Sequence, residues 1–180
     1  AVHLAWLCSN RQNLAERDAL VQFAQALGLA FQVQDDILDI ESDTSTLGKP
    51  QGSDTKANKS TYPALMGLDN AKAKAQQLYQ DALNYIEQAE QEFTAPDEQF
   101  RHALIMHEKA YSYAELGQYE QALALFKQSM AVYQQIDEPL WRSYTKVNLV
   151  WIHNLLQRYP EALQLANEAE TELAQLKAPD

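Results

Sequence analysis

Apolar residues recur at helical spacing along almost all of these 180 residues, and the pattern stops in one long stretch, Glu41 to Ser60. Ala, Leu, Gln and Glu, which lose little on entering a helix, dominate the composition, and Gly and Pro are scarce. The chain is therefore expected to be all-α. Residues 1–8 read as the tail of a helix, with breaks at Ser9-Asn10 and Gln12-Asn13. A long helix is expected from about Glu16 to Ile40, a short one from Thr61 to Gly67, and a longer one from about Asn70 to Glu92. Thr94-Ala95-Pro96-Asp97 is the strongest boundary signal, dividing the chain into 1–93 and 97–180. Beyond it, four helices of 15–18 residues are expected, with breaks near Gly117, Pro139 and Pro160.

The second half repeats itself. Tyr119-Glu120-Gln121-Ala122-Leu123 returns forty residues later as Tyr159-Pro160-Glu161-Ala162-Leu163, and with the same offset Leu116 maps to Leu156, Leu125 to Leu165 and Val132 to Glu172. Gly117 precedes the first Tyr by two residues, where the second copy has Gln157. The unit is a helix–turn–helix used twice.

Charge and composition exclude several classes of function. The net charge of −11 is spread evenly: residues 1–96 hold 7 basic and 13 acidic groups, and residues 97–180 hold 7 and 12. No basic patch is present to displace counterions from a phosphate backbone, so nucleic acid is not an expected partner. No run of 18 apolar residues is present, so no membrane-spanning helix is expected. The single Cys8 excludes an internal disulfide, which fits a reducing, cytoplasmic location.

The chemistry is concentrated in Phe31-Gln32-Val33-Gln34-Asp35-Asp36-Ile37-Leu38-Asp39-Ile40. At about 100° per residue, Gln32, Asp35, Asp36 and Asp39 fall within an arc of roughly 100°, and apolar residues cover the rest. Three carboxylates on one stripe repel one another, with no Lys or Arg one turn away. A solvated acidic face explains such a stripe, and so does a site for Mg²⁺, which takes a few carboxylate oxygens together with water and phosphate oxygens. The next segment favours the second explanation. Lys49 and Lys59 lie in the one long loop directly after the acidic helix, where lysine can meet phosphate as a point charge, and Gly48 and Gly52 allow close backbone approach. Acid for metal and lysine for phosphate read together as a diphosphate site.

The run GLAFQVQDDILDIESDTSTLGKPQGSDTKANKSTYPALMGL, Gly28 to Leu68, resembles the second aspartate-rich helix and following lid of the farnesyl diphosphate synthase branch of the trans-isoprenyl diphosphate synthases, and the likeness extends weakly over residues 1–92. The resemblance implies a partial isoprenoid-synthase helical bundle. It places Asp35, Asp36 and Asp39 as ligands of Mg²⁺ on an allylic diphosphate, Gln32 and Phe31 beside the substrate, and Lys49 and Lys59 as diphosphate contacts. Ser42 and Asn58 stand where that family commonly has glycine. The family's reaction condenses isopentenyl diphosphate with an allylic diphosphate and needs a first aspartate-rich motif facing the second. That motif is absent from these residues, so the expectation is a truncated or chimeric segment that binds isoprenyl diphosphate weakly and does not turn it over alone.

Tyr113, Gly117, Tyr119, Ala122 and Phe126, with Tyr159, Ala162 and Ala169 in the second copy, resemble the tetratricopeptide repeat pattern over residues 97–180. This implies tetratricopeptide-like helical hairpins and, as the other reading of function, an interaction scaffold. His102, His107 and His153 read as surface or satisfied core histidines, and Trp141 and Trp151 as core or groove lining. Two apolar faces, Ala1 to Leu7 and the end of the repeat pair, lead to an expected protein partner or self-association.

Overall fold

The computed structural model describes residues 13–41, 60–92 and 99–177. They form seven helices: α1 (Leu14–Glu41), α2 (Tyr62–Met66), α3 (Leu68–Gln91), α4 (Gln99–Glu115), α5 (Tyr119–Gln135), α6 (Pro139–Leu155) and α7 (Tyr159–Lys177). No strand occurs among the described residues, so the all-α expectation holds. The expected helix tail at residues 1–8 and nearly all of the expected 41–60 loop lie outside the described residues. The chain divides into two compact units, residues 1–89 and 90–180.

In the first unit, α1 starts two residues before the expected Glu16, because Asn13 is a cap rather than only a breaker. Its Oδ1 accepts the Ala15 and Glu16 N–H groups at 3.0 and 3.2 Å, satisfying two of the helix's otherwise orphaned donors. The helix buries Ala19, Phe23, Ala26, Ala30, Val33 and Ile37, a run at alternating spacings of three and four. Leu38 and Ile40 were expected on the apolar surface too, yet both are substantially exposed. They flank the Val33–Ile37 face, which is packed away. On α3, Ala71, Ala75, Leu78, Ala82, Ile86 and Ala89 form one buried stripe of the same kind.

In the second unit, α4 packs on α5, α5 on α6, and α6 on α7 as successive hairpins. Their core gathers Ala110, Ala114, Ala122, Phe126, Leu149 and Ile152. The fully buried alanines let the helix backbones approach, and Phe126 fills the space between them.

The sequence repeats every forty residues, but the backbone repeats every twenty. Gly117, Asp137 and Gln157 all have positive φ, at 75°, 55° and 59°. At each turn the next N–H bonds back across the helix end: Gln118 to Tyr113 O, Glu138 to Tyr133 O, and Arg158 to His153 O, at 2.8–2.9 Å. These are three copies of one left-handed helix stop. Pro139 and Pro160 lie inside the first turns of α6 and α7, where a missing N–H costs nothing, so the breaks fall just before them.

Gly adopts positive φ freely, Asp at modest cost, and Gln at a cost of about 1 kcal/mol. Gln157→Gly is therefore expected to stabilise the second unit by about 1 kcal/mol. Urea unfolding followed through Trp141 and Trp151 should show a higher midpoint at unchanged slope. An unchanged or lowered midpoint would mean the Gln157 side chain contributes more than its backbone conformation costs.

Candidate functional site

The aspartate-rich turns of α1 lie in well-formed helix, but the three carboxylates do not share one environment. Asp35 is exposed, Asp36 is half-buried, and Asp39 is buried at 1 % relative exposure. At 100° per residue, Asp39 points away from the Val33–Ile37 face, so its burial is separate from that of the core stripe. Phe31 and Gln32 are exposed on the preceding turn. Lys49 and Lys59 lie outside the described residues.

Asp36 has a defined partner. The Tyr62 N–H donates to Asp36 Oδ2 at 2.8 Å, across 26 positions of sequence. Beside it, Thr61 Oγ1 accepts the Ala64 N–H at 3.4 Å, Thr61 O accepts the Leu65 N–H at 3.0 Å, and Pro63 has no N–H. Thr61 as a cap before Tyr62-Pro63 was legible from residue type, since Thr is a good cap and Pro suits the first turn. That Asp36 completes the cap had no signal in the sequence. A second link, Lys72 Nζ to Glu41 Oε1 at 2.5 Å, joins α3 to the last residue of α1, and both side chains are too exposed for it to contribute much.

Among the described residues no group of three or more His, Cys, Asp or Glu side chains converges on a point where a metal could be held. An all-protein cage is thus not formed by these residues. Mg²⁺ does not need one: it is commonly held by one or two carboxylates, waters and substrate phosphate oxygens. An exposed carboxylate on a rigid helix, as at Asp35, fits that sparse mode of binding.

In the second unit, His107 is a satisfied core histidine. Thr145 Oγ1 donates to Trp141 O at 2.8 Å, so it must accept from His107 Nδ1–H, 3.1 Å away. Asn148 Nδ2 then donates to Nε2 at 3.0 Å, which defines a neutral imidazole protonated on Nδ1. The ring stacks on Tyr144 at 5.6 Å and meets Phe126 edge-on at 5.1 Å. Burial pulls its pKa down to about 4. His153 is buried with no hydrogen-bond partner for Nδ1, and burial, then the Lys127 charge, lower its pKa. Trp141 packs against Phe100 and Tyr133 in the same aromatic cluster, and Trp151 packs on Tyr111. A shallow apolar groove lies between α6 and α7, lined by Val147, Val150, Ala166, Ala169, Leu173 and Ala174.

These two units correspond to two kinds of known protein. The polyprenyl synthetase family model matches residues 1–97, and the chain belongs to that family. A tetratricopeptide repeat model matches residues 101–171, over α4 to α7. Among curated relatives, farnesyl diphosphate synthase of Haemophilus influenzae is 52 % identical over 88 residues, covering 48 % of this chain and 30 % of that protein. Farnesyl diphosphate synthase of Escherichia coli is 49 % identical over 88 residues, covering 49 % of this chain and 29 % of that protein. That of Geobacillus stearothermophilus is 60 % identical over 55 residues, covering 31 % and 18 %. The chain thus spans less than a third of the length of these relatives. No solved structure matches it. No helix among the described residues is long and apolar enough to cross a membrane.

Proposed function

We propose that residues 1–93 are a Mg²⁺-dependent binding segment for an isoprenyl diphosphate, belonging to a short-chain prenyltransferase whose parent reaction condenses isopentenyl diphosphate with an allylic diphosphate. The observation that carries this reading is an aspartate-rich helix with an exposed Asp35, within a stretch about half identical to farnesyl diphosphate synthases. Asp35 is the foremost of the aspartates that would hold the metal, with Asp36 and Asp39 the others that the resemblance puts forward. When bound, Mg²⁺ would supply the positive charge that makes a diphosphate a tolerable neighbour for these carboxylates. Gln32 offers hydrogen bonds from the same side of the helix and Phe31 an apolar wall for the prenyl chain, while Lys49 and Lys59 would meet diphosphate oxygens.

The first aspartate-rich motif is absent from these residues, so binding without condensation is the activity proposed for them alone, and a cytoplasmic location goes with it. Titration calorimetry with pyrophosphate, with and without Mg²⁺, tests the reading. Binding should require Mg²⁺ and weaken by about tenfold or more in Asp35→Asn, which removes the anionic oxygen and keeps the helix. Equal heats in both proteins, or no heat in the parent, would refute it.

A second reading, an interaction scaffold in residues 97–180, is supported by the tetratricopeptide match and by the open apolar groove between α6 and α7. It would coexist with the first, since each concerns its own unit. Self-association or a protein partner belongs to this reading, and sedimentation over a concentration series checks it.

A further inference from the structure

The groove between α6 and α7 has a counterpart forty residues earlier, and there the occupant is visible. Helices α4 and α6 begin at Gln99 and Pro139, and α5 and α7 at Tyr119 and Tyr159, so the two hairpins correspond position by position. Val147 stands for His107, Ala166 for Phe126 and Leu173 for Tyr133. In the first hairpin α6 lies across these residues, and His107, Phe126 and Tyr133 are 3, 0 and 0 % exposed. His107 bonds to Thr145 and Asn148, Tyr133 stacks on Trp141, and Phe126 shares a core with Leu149 and Ile152. In the second hairpin the groove is open, and Val147 is 46 % exposed. We propose that this groove is the seat of an amphipathic helix from a partner protein, with bulky apolar residues at spacings of three and four and a lysine or arginine set against Glu170. The proposal rests on the scaffold reading of residues 97–180 and names the partner's chemistry.

Shape, polarity and charge each bear on the occupant. The groove encloses about 520 Å³, and its floor is smaller-sided than its counterpart, with Ala166 in place of Phe126 and Val147 in place of His107. A helix seated here must therefore bring bulk of its own to reach the packing density of an interior. Helix α6 is already apolar on two sides. Leu149 and Ile152 are buried in the core it shares with α4 and α5, while Leu140, Tyr144, Val147 and Leu155 run along an exposed side. Apolar residues on more than one side mark a helix packed on more than one side. Glu170 is exposed and lines the groove where the first hairpin has Met130, which packs against the core. A carboxylate beside an apolar seat favours an occupant with a cation at that point.

The same features argue against a second copy of this chain. A two-fold contact through the groove would bring together two α7 helices, each carrying Glu161, Glu168, Glu170 and Glu172, in a chain of net charge −11. A head-to-tail contact would lay α4 of one copy, the positional equivalent of α6, into the groove of the next. That helix has Arg101, Glu108, Lys109 and Ser112 where α6 has Trp141, Asn148, Leu149 and Ile152, so it lacks the apolar stripe that fills such a groove.

The experiment titrates the full chain into two fluorescein-labelled peptides and follows anisotropy. Both peptides are helix formers of about five turns with Leu and Phe at spacings of three and four, one with lysine beside that stripe and the other with glutamate. The lysine peptide should bind with a Kd of about tens of micromolar, and the glutamate peptide at least about tenfold more weakly. Val147→Glu, which places a charge in the groove wall, should weaken the lysine peptide by about tenfold or more. Glu170→Lys should reverse the preference between the two peptides. Both positions are exposed, and should Val147→Glu not fold, the reversal in Glu170→Lys decides the question alone. A parent that does not bind the lysine peptide, or an unchanged preference in Glu170→Lys, overturns the proposal. Binding that ignores both substitutions also overturns it, while leaving the scaffold reading in place with its site on another face. Sedimentation of the chain alone supplies the remaining outcome: a dimer that Val147→Glu abolishes would make the occupant a second copy and overturn the partner helix.

Discussion

As the pH falls from about 6.5 to about 4, the second unit should lose roughly 3 kcal/mol of stability that a His107→Gln variant keeps. His107 is 3 % exposed, and its pKa is lowered to about 4 by burial. The unfolded chain takes up a proton near the ordinary histidine value, while the folded chain refuses it until about pH 4. Between those two values the unfolded state binds more protons, so stability is full above the upper value and declines as the pH drops to the lower one. Below that both states are protonated and the loss is complete. The geometry gives the reason for the refusal. Nδ1–H is already donated to Thr145, and Nε2 already accepts from Asn148, so a second ring proton would point at a donor. Other groups in the unit titrate nearby. Burial raises the Glu108 and Glu115 carboxyls, in the latter against a hydrogen bond from Tyr111, and both therefore oppose the histidine's trend in the lower part of the window. Glu168 and Glu172 are lowered and weaken the fold further at the acid end. The quantity to measure is thus the difference between parent and His107→Gln in urea unfolding at each pH. Parallel curves would show that His107 does not carry the effect.

Lys146→Met should destabilise α6 and α7 by about 2 kcal/mol, and adding Glu172→Val should recover most of that loss. Lys146 Nζ lies 3.0 Å from Glu168 Oε2 and 2.9 Å from Glu172 Oε1, with its side chain only 10 % exposed. Burial works to lower its pKa, but the hydrogen bonds and charges of Glu172 and Glu168 outweigh that and leave it raised. Removing the cation alone leaves Glu172, 22 % exposed, with less compensation from Arg142 at 3.3 Å and Ser143 Oγ at 2.8 Å. The repeat itself suggests the repair. Forty residues earlier, the positions of Lys146 and Glu172 are held by Met106 and Val132, an apolar pair in the equivalent hairpin. Replacing a part-buried ion pair with matched apolar side chains is often neutral, whereas breaking it is not. In the double variant Arg142 still has Gln134 Oε1 at 2.6 Å. A four-way cycle in urea should give a coupling energy of about 1 kcal/mol or more, and simple additivity would refute the compensation.

The helix ends were legible in the sequence because the interactions that make them span five residues or fewer. Asn13 and Thr61 cap from residue type, Gly117 announces a left-handed stop, and Pro139 suits a first turn. The forty-residue repeat likewise marked out Ala122 and Ala162, and the tetratricopeptide resemblance Phe126, all of them buried. The aspartate-rich stretch could be recognised in the same way, by residue type and spacing along one helix. What became of each aspartate could not. Asp35, Asp36 and Asp39 have nearly the same local context, and they differ through residues far along the chain, such as Tyr62 for Asp36. Leu38 and Ile40 have the composition of a core and are substantially exposed all the same, a difference that residue type does not carry. His107 owes its neutral state to partners 38 and 41 residues away, and Lys146 its burial to partners 22 and 26 residues away. Residue types and their spacing specify local hydrogen bonds and which face of a helix can be buried. Which polar groups meet across the packed helices is decided only when the tertiary structure brings distant segments together and excludes water from between them.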